Sequence, residues 1–340
     1  MTMKYMKLVF TCFVGLASLS LQAQGIKKEL RAEENTQVAF PQTVAAGNYS
    51  GITWLGGNEY AVVCDKSRSD GFFVFHINTD PDTGQISHAY CDEFRSADRA
   101  NRDQEGICYV PKDSAIWISG EGENRIREYN LKTGERTGRE LDIPDSLKQS
   151  YPNMGFEALT YNAKTGRFWT VSESVLPIDG KPCTPKYKTK NRLRLLCFDE
   201  SLKLVAQYPY EMDMPELKSN SAENYCIGVS DLCALDDGRL IVLERELYAP
   251  RLILGSFVVC KLYVVDPEET GYATSLHKKL LLRFKTPSSG LKKDFANYEG
   301  MCLGPKLNDG RQVIVMMADS QNQMQGVLKD WLKTVVVNEQ

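Results

Sequence analysis

Polar and apolar residues alternate along this chain in short runs, and one phrase heads such a run five times: Ser50-Gly-Ile-Thr-Trp54, Glu105-Gly-Ile-Cys-Tyr109, Glu157-Ala-Leu-Thr-Tyr161, Ser230-Asp-Leu-Cys-Ala234 and Glu299-Gly-Met-Cys-Leu303. A period of two, rich in β-branched and aromatic residues, is the pattern of a half-buried strand. Behind each phrase a second apolar run stops at a carboxylate: Val62 to Asp65, Trp117 to Glu121, Trp169 to Glu173, Ile241 to Glu244 and Val315 to Asp319. These acids fall 15, 16, 16, 14 and 20 residues after the first phrase position, so acids recur at nearly one structural phase. Third runs follow at Gly71 to Ile77, Arg125 to Leu131, Arg192 to Phe198, Cys260 to Val265 and, more weakly, Thr334 to Val337. Four copies add a fourth run: Ile86 to Phe94, Arg136 to Ile143, Leu204 to Tyr210 and Lys279 to Phe284.

Four short antiparallel strands per repeat make the blade of a β-propeller. A blade buries its faces only against neighbours, so the copies stack around an axis and close on themselves. The expected fold is all-β with five blades, six being the alternative if a copy is hidden. The last copy lacks a fourth run, while Glu29 to Phe40 precedes the first copy without a partner; this N-terminal segment is expected to complete the last blade and close the ring. Successive phrases lie 55, 52, 73 and 69 residues apart, and the long gaps hold three expected excursions, Gly180 to Lys190, Met212 to Ile227 and Glu246 to Ser256. No Pro/Gly/Ser-rich linker divides residues 24–340, which read as one propeller domain.

Residues 1–23 read as a secretory signal, with Lys4 and Lys7 ahead of an apolar stretch from Leu8 to Leu21 and a small residue, Ala23, at the cleavage point. The stretch is too short and too interrupted for a retained span, so the protein is expected to be exported, periplasmic or secreted, without membrane insertion after cleavage. Loss of two lysines takes the net charge from -3 to -5, which leaves no nucleic-acid footprint. Nine of the ten cysteines remain, an odd number that cannot all pair internally. Cys108, Cys233 and Cys302 share the phrase position of Thr53 and Thr160 and read as inner-strand packing residues; Cys183 and Cys226, in two excursions, are the one pair considered for a bridge.

In a blade the first strand begins, and the second ends, at the same mouth of the central channel. Glu105, Glu157, Glu299 and Asp231 on first strands, and Asp65, Glu121, Glu173, Glu244 and Asp319 on second strands, are therefore expected to ring one mouth. Two like charges about 4 Å apart cost roughly 1 to 4 kcal/mol at effective dielectrics of about 80 to 20. Protonation, basic neighbours such as Lys66 and Arg245, or divalent cations must offset this. An all-oxygen donor set points to a hard cation, calcium before magnesium. Solvated strand-end acids and a purely structural calcium are the plainer alternatives. His76, His88 and His277 map to outer strands, and the sequence has neither a Gly-x-Ser-x-Gly elbow nor a phosphate loop, which argues against a Ser-His-Asp triad and nucleotide cofactors.

Asp103-Gln-Glu-Gly-Ile107, Phe156-Glu-Ala-Leu159, Val171-Ser-Glu173, Leu243-Glu-Arg-Glu246 and Asn297-Tyr-Glu-Gly300 together resemble the family named for the esterase-like activity of phytase, over about residues 48 to 322. The resemblance implies calcium-dependent hydrolysis of phosphate esters, in which clustered carboxylates hold metal that polarises the phosphate and activates water. By analogy Glu105, Glu157 and Glu299 are the catalytic candidates; Glu105, Glu157, Glu173, Glu244 and Glu299, with Asp65, Glu121 and Asp319, the metal candidates; and Lys66 and Arg245 the substrate contacts. The related phytases have six blades and more basic phosphate sites, so the expected substrate is a small phosphate ester or another ester rather than phytate. Two alternatives stay open: a calcium-dependent lactonase, for which Asn297, Asn153 and Asn124 would complete a mixed ligand set, and a non-catalytic envelope propeller that binds an anionic partner through its lysine-rich excursion.

Overall fold

The computed structural model describes residues 27–217, 224–250, 255–269, 275–288, 294–326 and 328–339; the expected leader at 1–23 lies outside them. Two short strands come first, β1 (Leu30–Glu34) and β2 (Val38–Ala39). Blade one is β3 (Tyr49–Gly56), β4 (Glu59–Cys64), β5 (Ser69–Thr79) and β6 (Ile86–Ala100), and blade two is β7 (Gln104–Val110), β8 (Ala115–Gly120), β9 (Arg125–Asn130) and β10 (Arg136–Glu140). Blade three is β11 (Phe156–Asn162), β12 (Arg167–Ser172), β13 (Arg192–Phe198) and β14 (Leu204–Glu211); blade four is β15 (Asn224–Ala234), β16 (Leu240–Ala249), β17 (Phe257–Val265) and β18 (Lys278–Pro287). Blade five is β19 (Asn297–Lys306), β20 (Gln312–Asp319) and β21 (Trp331–Glu339), with β1 as its outer strand.

The fold is thus an all-β propeller of five blades, each headed by one copy of the repeated phrase. The N-terminal segment closes the ring as expected: β1 pairs antiparallel with β21 from Leu30 opposite Glu339 to Glu34 opposite Val335. β2 continues the seam with Val38 opposite Leu332 and Ala39 opposite Trp331. Each blade interface has its own apolar core. That between blades three and four joins Trp169, Leu195 and Tyr210 to Val229, Val242 and Tyr263; that between blades four and five joins Leu243, Cys260 and Leu262 to Tyr298, Met316 and Val335. The smallest lies between blades one and two, around Val63, Phe72, Ile107 and Ile118.

All five first strands bulge at the first phrase position, where Ser50, Glu105, Glu157, Ser230 or Glu299 drops out of register with the second strand. A bulge re-aims the side chain it displaces, here toward the channel mouth. The next position faces the neighbouring blade at very close range: a Cβ on Gly106 would lie 2.1 Å from the Glu157 carbonyl oxygen, and one on Gly51 2.3 Å from that of Glu105. Glycine recurs there because the inner strands touch around the axis.

Some expectations need correction. Met212 to Ile227 and Glu246 to Ser256 are not wholly excursions, because β15 starts at Asn224 and pairs with β16 as far as Ala249. The polar stretch hid Tyr225, Ile227, Leu247 and Tyr248, whose strand preference carries this hairpin beyond the mouth. Gly180 to Lys190 does lack strand structure. The Cys183–Cys226 bridge is not formed: both are free, and the Cys226 thiol donates to Glu173 Oε1 at 2.8 Å. Cys108, Cys233 and Cys302 line a cavity of about 170 Å³ inside the channel with Thr53 and Thr160. No helix among the described residues is long and apolar enough to cross a membrane.

Because β1 and β2 supply the outer edge of the seam, deletion of residues 24–42 should abolish a single cooperative melt or lower its midpoint by about 10 °C or more. Circular-dichroism melting of the truncated and full proteins checks this, and an unchanged midpoint would refute closure by this strand.

Candidate functional site

Three residues per blade meet at the mouth. The first is the bulged phrase residue: Ser50, Glu105, Glu157, Ser230 or Glu299. The second lies two places before the bulge, and the third is opposite it, just beyond or at the end of the second strand in four blades and within the longer β16 in blade four. Pairing or backbone bonds match Asn48 with Asp65, Asp103 with Glu121, Gly155 with Glu173, Gly228 with Arg245, and Asn297 with Asp319. Seven of the nine expected carboxylates therefore gather: Asp65, Glu105, Glu121, Glu157, Glu173, Glu299 and Asp319.

Two of the expected nine go elsewhere. Asp231 sits where three other blades have glycine, and its carboxylate enters the channel axis to accept from the backbone N–H groups of Met301 (2.6 Å), Leu232 (2.8 Å) and Leu159 (3.4 Å). It pins blades three, four and five together rather than facing the mouth. Glu244 points to the opposite face of β16, where it accepts from Tyr210 OH and Lys278 Nζ, each at 2.6 Å, and from the Asp213 N–H at 3.1 Å. Alternation along the strand then brings Arg245 into the mouth, the reverse of the expectation that Glu244 would face it.

Arg245 is 5 % exposed. Its Nη1 donates to Asn297 Oδ1 at 2.9 Å and to Glu299 Oε1, and its Nη2 donates to Glu173 Oε1 at 2.5 Å. With both terminal nitrogens engaged by the protein, it does not present an open fork to a ligand. Lys66, the other expected substrate contact, is open to solvent by comparison: its side chain is 61 % exposed, and its ammonium bridges Asp65 Oδ2 (2.8 Å) and Asp103 Oδ1 (2.6 Å).

Asp65, Asp103 and Glu105 form the one group among the described residues that brings three ligand atoms within 4.8 Å of one another. Asp65 Oδ1 is buried there without a hydrogen-bond partner, and Ser50 Oγ donates to Glu105 Oε2. Asp103 lies outside the ligands expected from the sequence; its signal there is its place two residues before a bulged glutamate. Its backbone takes the left-handed region, φ 58°, and both chain neighbours are anchored below it. Buried Asp70 accepts from Gln104 Nε2 (2.7 Å), Tyr129 OH (2.8 Å) and Arg136 Nε (2.5 Å), while Arg102 Nη2 donates to Tyr129 OH at 2.8 Å. This network fills the polar part of the interface between blades one and two, beneath the triad.

A family model for phytase-like proteins, described as esterase-like activity of phytase, matches residues 44–321. The chain belongs to this phytase-like family. No curated protein matches it. Among solved structures, a streptogramin B lyase is 13 % identical over 91 % of this chain and 98 % of its own, with a TM-score of 0.36. A luciferin-regenerating enzyme is 9 % identical over 89 % and 95 %, with a TM-score of 0.43. An endo-arabinase from Bacteroides thetaiotaomicron is 10 % identical over 86 % and 96 %, with a TM-score of 0.45. At such scores they say nothing about the chemistry of this phytase-like chain.

Burial and mutual repulsion set the charge state of the phytase-like mouth. Burial, then the neighbouring Glu299 and Asp65, pushes the Glu105 carboxyl well up, and burial with Glu173 does the same to Glu157. Glu299 is also raised by burial, although Arg245 opposes the rise. Burial raises Asp65 against the pull of Lys66. Glu121 moves up to about 7, through burial opposed by the Gly155 N–H, and Asp319 to about 8 through burial and Glu299. Among the described residues Glu157 alone in the bulge tier's acids has a carboxylate with neither hydrogen bond nor ion pair.

These shifts fix a sign. Carboxyl groups raised in the folded state hold protons that the unfolded chain has lost, so their stabilisation is complete below the unfolded values near 4 and disappears as pH passes the folded ones. In chelator, the melting temperature should fall between pH 5 and pH 8.5, the window containing the Glu121 and Asp319 values. Asp213, which despite burial is held low by bonds from Lys261, Lys278 and Tyr263, titrates below that window. Added calcium should flatten the fall; a melting temperature that rises with pH in chelator would contradict the assignment. Separately, Asp70→Asn should cost about 3 to 5 kcal/mol in urea unfolding, because it leaves Arg102 and Arg136 without their buried counter-charge.

Proposed function

We propose that this protein is an exported, calcium-dependent hydrolase of esters, with small phosphate esters as the first substrate class. The observation that carries the reading is the convergence of Asp65, Asp103 and Glu105 at the mouth of a protein in the phytase-like family. The donors are all oxygens, and Asp65 Oδ1 is buried without a partner, so the residues fit a hard cation. The leader pattern of residues 1–23 supports export.

Calcium held by these three residues would supply Lewis acidity toward a phosphoryl or carbonyl oxygen and charge to hold an anion. Glu157, whose carboxylate has neither hydrogen bond nor ion pair, would take the proton from the attacking water, the charge of a bound cation opposing the burial that otherwise keeps this carboxyl protonated. Lys66 has the freedom to leave Asp65 and Asp103 and meet the substrate anion, since most of its side chain is exposed. An open groove of about 990 Å³ beside the triad is lined by both signs of charge, Lys66 and Arg99 with Asp65, Asp103 and Glu123, so room for a small substrate lies next to the candidate cation site. Glu121, Glu173, Glu299 and Asp319 complete the ring of acids around the site, and Glu173 and Glu299 hold Arg245. Glu244 lies outside this machinery.

The lactonase reading is less well supported. Asn297 does reach the mouth, but its Oδ1 takes Arg245 and its Nδ2 donates to Glu299 at 2.7 Å, while Asn124 is spent on Phe156 N and Ser150 Oγ. A binding propeller would use the lysine-rich wall at 180–190 and keep its affinity when Glu105 and Glu157 are changed.

Purified protein assayed on phosphate-ester and carboxylic-ester panels should lose activity in chelator and regain it with calcium. Glu157→Gln should lower kcat by roughly 10²- to 10⁴-fold with calcium affinity retained, whereas Glu105→Gln should weaken calcium binding itself. Calcium-saturated protein inert across both panels would exclude the hydrolase reading.

A further inference from the structure

The mouth of the propeller already contains a cation of its own. In four blades the residue opposite the position two before the bulge is an acid, Asp65, Glu121, Glu173 or Asp319; in blade four it is Arg245, opposite Gly228. The charge is inverted at one of five equivalent places. The flanking acids of this strand are directed away, Glu244 to Tyr210 and Lys278, and Glu246 to Tyr225 OH (2.9 Å) and the backbone N–H groups of Glu216 (2.8 Å) and Leu217 (2.9 Å). Gly228 makes room on this side, since a Cβ there would lie 2.2 Å from Glu173 Cγ.

We propose that Arg245 takes the place of a second metal ion, so that the mouth accepts one divalent cation, confined to Asp65, Asp103 and Glu105. This rests on the cation-binding reading above and adds the number of ions and the residue that sets it. The guanidinium engages Glu173 and Glu299, one carboxylate from each neighbouring blade, and Asn297 Oδ1 as a third oxygen. Two carboxylates and an amide oxygen around one centre, with Glu157 close enough to feel Arg245, are the donors a hard cation would use. An arginine in that place carries a fixed charge that chelators do not remove and that stays protonated at every physiological pH. It therefore offsets part of the negative charge on the side of the ring formed by blades three to five permanently, while the Asp65 and Asp103 carboxylates, bridged by the exposed Lys66, stay exchangeable. The consequence for chemistry is a one-ion site, without a second metal to clamp the leaving oxygen.

Equilibrium dialysis against calcium, with metal content read by elemental analysis, tests the count. Wild type should bind one ion at the mouth, Asp103→Asn should bind at least ten-fold more weakly, and Arg245→Gln should bind two, while Arg245→Lys keeps the count at one. Glu299→Gln removes an arginine partner but no triad ligand, so its count should stay at one even if the arginine variants fail to fold. An Arg245→Gln protein that folds and still binds one ion, or a Glu299→Gln protein that binds none, would overturn the role given to Arg245. Wild type that binds two overturns it as well. Wild type that binds no calcium sinks the cation reading itself, a different outcome from either.

Discussion

The close approach of five inner strands around one axis governs everything built on them. Glycine at the second phrase position of three blades lets the bulge of one blade nest against the next, with carbonyl oxygens little more than 2 Å from where a Cβ would be. That contact leaves no room for the bulged side chains except toward the mouth. The acids are gathered as a by-product of closure, and the strain of gathering them must be relieved locally. Closure itself depends on β1 and β2, far away in sequence from β21, to which they are bonded.

Relief comes by a different route in each part of the ring. Burial keeps Glu105, Glu157 and Asp319 inclined to retain protons, which lowers repulsion at the expense of ligand strength. Arg245 shares its one positive charge between Glu173 and Glu299 from within. Lys66 compensates Asp65 and Asp103 from the rim, where its exposed stem makes the pairing easy to exchange. The three solutions are not equivalent in function. A buried arginine with several partners is a structural charge, whereas a surface lysine yields its place to a divalent cation at little cost, and this difference makes the mouth lopsided.

Much of this was legible in the sequence because the phrase repeats with its apolar phase intact: four copies with four strands each, a fifth with three and an unpartnered N-terminal segment lead to the closed five-blade ring. The site was only partly legible. The acids that reach the mouth lie 15, 16, 16 and 20 residues after the bulge, because the turns between first and second strands differ in length, so spacing alone did not reveal that Glu244, at 14, faces the other way. With a period of two, its neighbour Arg245 takes the mouth position instead. Asp103 was missed for a different reason: it belongs to the loop entering the strand, where a left-handed backbone rather than alternation aims the side chain. Asp231 was misplaced because its carboxylate looked like the shifted equivalent of the bulge glutamates, when it replaces the glycine and is satisfied by backbone N–H groups.

The interface between blades one and two brings these threads together. It has the smallest apolar core of the five, and Asp70, Arg102, Gln104, Tyr129 and Arg136 occupy the volume that aliphatic side chains fill elsewhere. A buried ionic network is seldom the most stabilising way to fill a core, since the desolvation of its charges offsets most of their attraction. What it offers instead is direction. Arg102 and Gln104 flank Asp103, and bonds of fixed geometry on both sides hold that residue in a backbone region an aspartate enters reluctantly. An apolar core would not resist its relaxation in the same way, because dispersion contacts have little angular preference. The polar seam therefore lies under the triad for a mechanical reason: the carboxylate that completes the candidate cation site comes from a loop, and directional anchoring of both chain neighbours adds to the bonds of Asp103 itself with Asn101, Glu121 and Lys66 in keeping that carboxylate against Asp65 and Glu105.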